Sequence, residues 1–220
     1  MSYEVVTRYF ADFTPQQLQQ LQALEGLYKE WNEKINVVSR KDIDSLYLKH
    51  VLHSLSIAAV FDFQPGMQVI DIGAGGGFPS IPLAIFFPEV QWLAVDSINK
   101  KLTVMKEVAA GAGIGNIQTR HSRAEDIKDR QFDVAVSRAV APLKELLNWS
   151  KHLLRKPGEV RKQFGAGATD DMNIPAGLIC LKGGDLAQEI HDSGRKPFMW
   201  KVDELFDDPF FQEKFILQVK

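Results

Sequence analysis

The residues whose spacing is most specific for chemistry lie in the segment 69–79, which reads VIDIGAGGGFP. Val69, Ile70 and Ile72 form a short apolar run of the kind found in a buried strand of a parallel sheet. The four glycines that follow allow positive φ angles and let the backbone approach a ligand closely. Pro79 suits the first turn of a following helix, whose free amides favour an anionic or electron-rich group.

The order of the glycines and the position of Asp71 indicate which ligand this turn would take. Gly73, Gly75 and Gly77 follow the pattern G-x-G-x-G, and Phe78 occupies the place of the last glycine in the dinucleotide pattern G-x-G-x-x-G. An acid at position 71 would repel a pyrophosphate, but it can accept a hydrogen bond from a cationic amine or a hydroxyl. Both features favour S-adenosylmethionine, a nucleoside with an amino-acid tail, over NAD. The alternative is a tight strand-to-helix turn without a ligand.

A second acid stands at the distance that such a cofactor site requires. The segment 91–95, QWLAV, is another apolar run, and it ends in Asp96. A carboxylate at the carboxyl end of the second strand binds both ribose hydroxyls of a nucleoside in this class of fold. Asp96 could instead cap a helix that begins near Ile98. Together with the glycine turn, ribose binding is the better interpretation.

Composition excludes several classes of protein. The 220 residues are 45% hydrophobic and 25% charged, with a net charge of −2, so any RNA binding must use local basic patches. The single cysteine, Cys180, rules out a disulfide within the chain and a cysteine-based zinc site, and we expect it in the core. His50 and His53 have no evident third ligand, so we expect no metal. Neither a signal peptide nor a membrane span is recognisable, which predicts a cytoplasmic protein.

The hydrophobic pattern predicts an α/β fold with a mostly parallel, seven-stranded sheet and helices on both faces. An N-terminal helical appendage, residues 1–63, precedes a catalytic domain, residues 64–220. Thr14 and Gln17 form a capping box at the start of the first long helix. The predicted strands are 68–72, 91–96, 116–120, 132–137 and 176–181, followed by an antiparallel hairpin of 198–203 and 213–219. Further helices are predicted from Asp42 or Asp44 to Ala59 and over 78–87, 98–111 and 142–154.

The segment 155–173 departs from this regular alternation. It contains Arg155, Lys156, Arg161 and Lys162 among glycines and few apolar residues. We interpret it as a flexible basic loop near the ligand edge of the sheet, where it would contact RNA phosphates if the substrate is RNA. An ordinary solvated surface loop is the alternative.

Several stretches together resemble one family, the small-subunit ribosomal RNA methyltransferase G family, also called glucose-inhibited division protein B. The glycine motif alone indicates only a class I, Rossmann-like methyltransferase, whereas the WNEKINVVS and SRA stretches are much more specific. In chain order, the matching stretches are 31–39 (WNEKINVVS), 49–54 (KHVLHS), 71–79 (DIGAGGGFP), 96–101 (DSINKK), 123–125 (RAE), 137–139 (SRA) and 181–183 (LKG).

This resemblance implies methylation of N7 of a single guanosine in the decoding region of 16S ribosomal RNA, with S-adenosylmethionine as the methyl donor. The substrate would be the RNA or the small ribosomal subunit, and we expect a monomeric enzyme. His53 stands where many relatives are expected to have an acid. The resemblance implies cofactor contacts by Asp71, Gly73, Gly75 and Gly77 on the methionine side, Asp96 at the ribose, Ala124 and Glu125 beside the adenine, and Arg138 at the cofactor and substrate edge, and it implies that Lys182 and Lys214 face RNA. We also predict that Phe78 contacts the cofactor and that Lys49, His50, Arg155, Lys156, Arg161 and Lys162 contact RNA.

The motifs that are missing agree with this chemistry. Carbon methylation of a pyrimidine typically uses a cysteine nucleophile, and exocyclic amine methylation typically shows an Asn/Asp-Pro-Pro-aromatic motif where this chain has Ser137-Arg138-Ala139-Val140. Guanine N7 has a lone pair and no proton to lose, so alignment and electrostatics matter more than a general base. We therefore assign no catalytic base, and we expect Arg138 to orient the cofactor and the base. A structural Arg–carboxylate pair is the alternative for Arg138.

Three other functions remain open from the sequence. A class I methyltransferase acting on a small molecule would have a closed apolar lid in place of basic surfaces. A nucleoside-binding or RNA-binding module would bind the cofactor without turnover, although both acids of the motif are present. A nicotinamide-dependent oxidoreductase ranks last because the chain has Phe78 in the glycine motif and no hydride-transfer constellation.

Overall fold

The computed structural model describes residues 2–138, 140–165 and 174–220 and contains one seven-stranded sheet. Its strands agree closely with the apolar runs of the sequence, because strands buried on both faces need continuous apolar residues. The strands are β1 (Gln68–Ile72), β2 (Gln91–Asp96), β3 (Ile117–His121), β4 (Val134–Arg138), β5 (Gly177–Gly183), β6 (Phe198–Lys201) and β7 (Lys214–Val219).

The strand order is β3-β2-β1-β4-β5-β7-β6. The first five strands are parallel, and β7 pairs antiparallel with both β5 and β6. This confirms the predicted α/β fold and the C-terminal hairpin. In such a sheet the carboxyl ends of β1, β2 and β4 lie side by side, and this edge is where ligands bind in open α/β folds.

Eight α-helices and several shorter helical turns are present in the described residues. The α-helices are α1 (Glu4–Thr7), α2 (Pro15–Lys34), α3 (His53–Leu55), α4 (Ser80–Phe86), α5 (Asn99–Gly111), α6 (Leu143–Ser150), α7 (Pro157–Phe164) and α8 (Ala187–Ser193). A π-helical segment, Tyr47–Leu52, leads into α3, and 3₁₀ turns span Ile43–Ser45, Ala124–Asp126, Val202–Glu204 and Pro209–Phe211. The sequence pattern did not predict α1, α7 or α8.

The N-terminal helices pack on one face of the sheet. The predicted capping box of α2 is present, since the Thr14 side chain accepts from the Gln17 N–H and the Gln17 side chain accepts from the Thr14 N–H. Leu21, Leu24 and Tyr28 of α2 are buried in one hydrophobic cluster with residues of α4 and α5. A second cluster on the other face includes residues of α6 and the alternate side chains of the strands. Cys180 is buried in this second cluster, as predicted.

The prediction of a flexible loop over 155–173 is wrong for its first half. Residues Pro157–Phe164 form α7, with Pro157 in the first turn and Val160 buried. Arg155 forms an ion pair at 2.8 Å with the buried carboxylate of Asp133, which lies just before β4. This pair places Arg155 at the amino ends of the strands, the edge opposite to the ligand edge. Residues 166–173 lie outside the described part of the chain.

Within the described ranges, the structure has no helix that is both long enough and apolar enough to cross a membrane.

Candidate active site

Hydrogen bonds between the ends of β1 and β2 fix the glycine-rich loop. The N–H groups of Gly73 and Ala74 donate to the carbonyl of Val95 at 2.9 and 3.0 Å. Gly73 and Gly75 have φ angles of +71° and +55°, a region that side chains with a Cβ rarely adopt. A Cβ at Gly73 would also lie 2.6 Å from a methyl carbon of Val140. Both backbone conformation and lack of space therefore require glycine at position 73.

Asp96 connects the two loops that border the site. One of its carboxylate oxygens accepts from the N–H of Gly75 at 2.9 Å, and the other accepts from the N–H of Ile98 at 2.7 Å. Ile98 is the N-cap residue of α5, and no side chain caps this helix, so the alternative in which Asp96 caps it is wrong. A carboxylate oxygen can accept more than one hydrogen bond, so each oxygen of Asp96 can still bind a hydroxyl. The two backbone contacts of Asp96 are therefore compatible with ribose binding.

A cavity of about 520 Å³ opens at the carboxyl ends of the strands. Its volume lies within the range typical of small-molecule sites. Seven of the nine predicted cofactor residues are in its wall, namely Gly73, Gly75, Phe78, Asp96, Ala124, Glu125 and Arg138.

Asp71, the eighth predicted cofactor residue, is fully buried and lies outside the cavity wall. Its Oδ2 atom accepts from the Ser80 hydroxyl at 2.5 Å and from the Ser80 N–H at 3.2 Å, which ties the end of β1 to the start of α4. Its Oδ1 atom has no hydrogen-bond partner among the residues that the structure describes. Burial raises the pKa of Asp71 to about 7, although the Ser80 hydrogen bonds and the charge of Arg138 lower it. A buried acceptor without a hydrogen-bond partner therefore lies next to the site, outside the cavity wall.

Gly77, the ninth predicted cofactor residue, faces the core instead of the cavity. Its φ angle is +106°, and a Cβ there would lie 2.5 Å from a side-chain carbon of Ile81 and 3.1 Å from the Tyr28 hydroxyl. The expected contact of Gly77 with the methionine side of a cofactor is therefore not part of this geometry. Its observed role is to let the loop pack against α2 and α4.

Arg138 forms no ion pair with a carboxylate among the described residues, which removes the simple structural alternative for this side chain. Its Nη2 atom lies 2.9 Å from Nδ1 of His50, and its Nη1 atom donates to the carbonyl of Lys49 at 3.4 Å. The guanidinium carbon lies 5.0 Å from the centre of the Phe78 ring, a distance typical of a cation–π contact. Arginine has only donors, so Nδ1 of His50 must accept and the imidazole proton must be on Nε2.

Burial and the Arg138 charge keep His50 neutral. They lower the pKa of His50 to about 4 and that of the neighbouring His53 to about 3. Burial also lowers the pKa of Arg138, to about 10, so its guanidinium remains charged near neutral pH. His50 therefore fixes the direction of the guanidinium without cancelling its charge.

Helix α2 supplies residues to the site that the sequence reasoning did not assign. The Tyr28 ring stacks on Phe78 with ring centres 4.9 Å apart, and its hydroxyl donates to the carbonyl of Gly76 at 2.7 Å. The Asn32 side chain accepts from the N–H of Val37 at 2.8 Å and holds the following loop, so that Val37 forms part of the cavity wall. The stretch 31–39 carried the family resemblance, but the three-dimensional contact with the glycine loop was not readable from it.

The mouth of the cavity combines apolar and cationic side chains. Ile98 and Val140 are 47% and 43% exposed, which is unusual for large apolar residues. Lys101 and Arg123 are also in the wall. No role was predicted for these four positions. Their arrangement provides an apolar surface for a planar ring and positive charge for an anion.

Two of the predicted RNA contacts are contradicted by the positions of their side chains. Lys182 is only 8% exposed, forms an ion pair with Glu189 at 2.6 Å and donates to the carbonyl of Ala141 at 2.5 Å. It is a buried structural residue, because a desolvated ammonium group needs such partners. His50 has its Nε2 atom buried, and its Nδ1 atom contacts Arg138, so it supports the site from within the protein.

The remaining predicted RNA contacts fall into two groups. Arg155, Lys156, Arg161 and Lys162 lie in or next to α7, so their predicted position at the ligand edge is wrong. Lys49 forms an ion pair with Asp42 at 2.6 Å. The ammonium groups of Lys49 and Lys214 lie 5.9 and 5.6 Å from the centre of the Phe210 ring. Because the carbonyl of Lys49 accepts from Arg138, Lys49 and Lys214 lie beside the cavity.

Within the described ranges, no three His, Cys, Asp or Glu side chains are grouped so that they could hold a metal ion. The ring of His53 instead packs edge-on against Phe210 and Phe211, with ring centres 5.9 and 6.1 Å apart. Its Nε2 atom is buried and has no hydrogen-bond partner in that part of the chain. His53 therefore belongs to an aromatic cluster with Phe210 and Phe211.

Solved structures show that the fold is shared with other proteins. A mutant of MtNAS in complex with S-adenosylmethionine has a TM-score of 0.52 and covers 88% of this chain and 71% of that chain. The complex of MtNAS with MTA and tNA has a TM-score of 0.55, with 91% and 69% covered. Sequence identities of 13% and 11% limit this likeness to the fold.

Sequence comparisons reach the level of the family. The chain is 47% identical over 216 residues to the ribosomal RNA small subunit methyltransferase G of Cytophaga hutchinsonii, covering 98% of each chain. The protein of the same name from Phocaeicola vulgatus is also 47% identical, with 98% of this chain and 97% of the relative covered. The family model described as rRNA small subunit methyltransferase G matches residues 17–206. The chain therefore belongs to the rRNA small subunit methyltransferase G family.

Proposed function

We propose that this protein transfers a methyl group from S-adenosylmethionine to N7 of a single guanosine in the decoding region of 16S ribosomal RNA. The observation that carries the proposal is the cavity at the ends of β1, β2 and β4, in which Arg138 carries a charge that no carboxylate of the described chain pairs with. Membership in the family supports the same conclusion.

The residues of the site fit this cofactor. Gly73 and Gly75 form part of the cavity wall, and the Asp96 carboxylate beside them has acceptor capacity for two ribose hydroxyls. The Arg138 guanidinium in the cavity wall is complementary to the carboxylate of a methionine tail, and the buried Asp71 outside the wall would favour its ammonium by charge. Ala124 and Glu125 also line the cavity, where they would border the adenine.

Bound S-adenosylmethionine supplies an electrophilic methyl group on a sulfonium. Guanine N7 would accept this methyl group with its lone pair and has no proton to lose. The protein therefore needs no general base, and its contribution is alignment together with electrostatics. Arg138 lies where it can orient both partners, and His50 and the Phe78 ring hold its guanidinium in place.

The mouth of the cavity supports an RNA substrate over a small molecule. Exposed Ile98 and Val140 offer a surface for a base that has left its stack, and Lys101 and Arg123 can contact its phosphates. A small-molecule enzyme would instead enclose this opening with an apolar lid. Lys49 and Lys214 extend the cationic border beyond the cavity. The substrate is the rRNA or the small subunit, and the enzyme acts as a cytoplasmic monomer.

The experiment that tests this function is methyl transfer from labelled S-adenosylmethionine to small-subunit rRNA or subunits from a strain that lacks the gene. Cleavage at N7-methylguanosine maps the product. One modified guanosine in the decoding region is the expected result. Cofactor binding without label in the RNA would contradict the proposal and favour a small-molecule enzyme or a non-catalytic module.

The role of Arg138 is tested by Arg138→Ala and Arg138→Lys at saturating RNA. We expect Arg138→Ala to lower kcat by about 10²-fold or more, because it removes a fixed charge beside the reacting groups. Arg138→Lys keeps the charge but loses the planar contact with His50 and the Phe78 ring, so it should recover only part of the rate. Near-normal turnover of Arg138→Ala would show that Arg138 does not orient the reaction.

A further inference from the structure

A second cavity, of about 380 Å³, lies at the edge of the sheet opposite to the reaction site. It is formed between α6, α8, the start of β5 and the end of β7. None of its lining residues in the described structure is acidic, although the whole chain has a net charge of −2. Six of its lining residues are cationic, namely Lys144, Lys151, Arg155, Lys156, Arg195 and Lys220. We call this cavity the basic groove.

Most cations of the basic groove have no carboxylate at ion-pair distance, although side-chain hydrogen bonds and, to a smaller extent, the charge of Lys144 lower the pKa of the exposed Asp192. Arg155 is paired with the buried Asp133, but the other five cations form no ion pair with a carboxylate in the described part of the chain. Burial and the nearby charge of Arg161 lower the pKa of Lys220, as expected where cations are crowded. A like-charged cluster is unfavourable for the folded protein alone, because the charges repel each other. An anionic partner would relieve this repulsion.

We propose that the basic groove binds the phosphates of an RNA segment that lies outside the reaction site. The inference rests on the proposed function, because it assumes that the substrate is ribosomal RNA. Strand β5, Gly177–Gly183, connects the two edges, and its seven residues span about 20 Å. RNA bound in the groove would thus be several nucleotides away from the reacting guanosine, and it would raise affinity without touching the reacting atoms.

This proposal also gives a role to the basic residues around α7. Of the basic residues grouped in the sequence, Arg155 and Lys156 line the groove, and Arg161 in α7 lies close enough to Lys220 for their charges to interact. The side chain of Asn148 lines the same cavity and can donate to phosphate oxygens, whereas the Ser193 hydroxyl already donates to the carbonyl of Ile190 at 2.6 Å. No base-specific readout is needed, since phosphate contacts position RNA without reading its sequence.

The test compares two triple variants that remove the same charge. The groove variant is Lys144→Gln with Lys151→Gln and Arg195→Gln, all exposed side chains whose loss leaves the core intact. The control variant is Lys106→Gln with Lys128→Gln and Lys201→Gln, which are exposed outside the groove. Each phosphate contact contributes about 0.7 to 0.9 to the slope of log K against log salt, so the groove variant should lose a slope of about 2 to 3 for full-length 16S rRNA. The control should keep the wild-type slope.

Kinetics separate this inference from the proposed function. For the groove variant we expect a KM for RNA raised about tenfold at moderate salt, with kcat and cofactor affinity equal to those of the control variant. Equal slopes and KM values in the two variants would refute RNA binding by the groove. If the groove variant loses slope but the wild type transfers no methyl group, the proposed function is wrong and RNA binding by the groove stands. If the wild type binds no RNA, both proposals are wrong.

Discussion

The buried carboxyl group of Asp71 makes a sharp prediction about stability and pH. The group is fully buried and its Oδ1 atom has no partner in the described structure, and burial raises its folded-state pKa to about 7. In an unfolded chain the same group has its ordinary value, 3.8. Between these values the folded protein holds a proton that the unfolded chain releases. The contribution of Asp71 therefore makes stability fall as pH rises from about 4 to about 7.

The variant Asp71→Asn isolates this effect, because the amide keeps the shape and can still accept from Ser80. With the two pKa values above, ionisation of Asp71 should shift the difference in unfolding free energy between variant and wild type by about 2–3 kcal/mol in favour of the variant from about pH 5 to about pH 8. The variant should be the more stable protein at the higher pH. All other titrating groups are common to both proteins, so the measurement at the lower pH serves as the internal reference.

The assay is urea unfolding of both proteins at a series of pH values, followed by fluorescence of the tryptophans. A gap that stays constant with pH would refute the reasoning, since it would mean that Asp71 is already ionised in the fold. Titration calorimetry with S-adenosylmethionine gives the functional counterpart. The amide lacks the charge that attracts the ammonium group, so we expect about tenfold weaker binding in the same variant that gains stability.

Three further predictions concern packing and positioning. Gly77→Ala should lower the unfolding free energy by about 2–4 kcal/mol, because φ is +106° and the new Cβ would lie 2.5 Å from Ile81. Gly26→Ala is the control, since no atom lies within 4 Å of its Cβ, and it should raise the unfolding free energy by about 0.5–1 kcal/mol in the same denaturation assay. Asn32→Ala should weaken cofactor binding several-fold in calorimetry, because the loop that carries Val37 loses its hydrogen bonds; unchanged affinity would show that the loop holds itself. Lys182→Met should lower thermal stability and leave the salt slope of RNA binding unchanged, and the reverse result would restore Lys182 as an RNA contact.

The parts of the fold that could be predicted from sequence are those that local pattern determines. Continuous apolar runs gave β1, β2 and β5 nearly to the residue, since strands buried on both faces tolerate few polar side chains. Helix α7 was missed because only Val160 of its eight residues is buried, so it lacks an apolar stripe. Its position at the far edge follows from the pair between Arg155 and Asp133, residues that are 22 apart in the chain.

The candidate site shows the same division between local and distant information. The glycine loop and Asp96 were recognisable because strand, turn and acid follow each other closely in the sequence. Whether a lysine faces solvent or a buried partner depends on other elements, so Lys182 was assigned to RNA although Glu189 of α8 neutralises it. The contact of Tyr28 with the glycine loop joins residues 48 apart, and no spacing rule could reveal it.

The charges of the site form a coherent set once these distant contacts are included. Arg138 is placed by a neutral histidine, so its positive charge remains available, whereas a carboxylate in the place of His50 would have cancelled most of it. Asp71 is close enough to Arg138 for their charges to interact, but no hydrogen bond joins them. A zwitterionic ligand end satisfies both groups at once, because its ammonium favours ionised Asp71 and its carboxylate attracts Arg138. Arg138 and Asp71 therefore lack partners of opposite charge that a methionine tail would supply. For this reason we expect the protein to bind the zwitterionic cofactor more tightly than a nucleoside without such a tail.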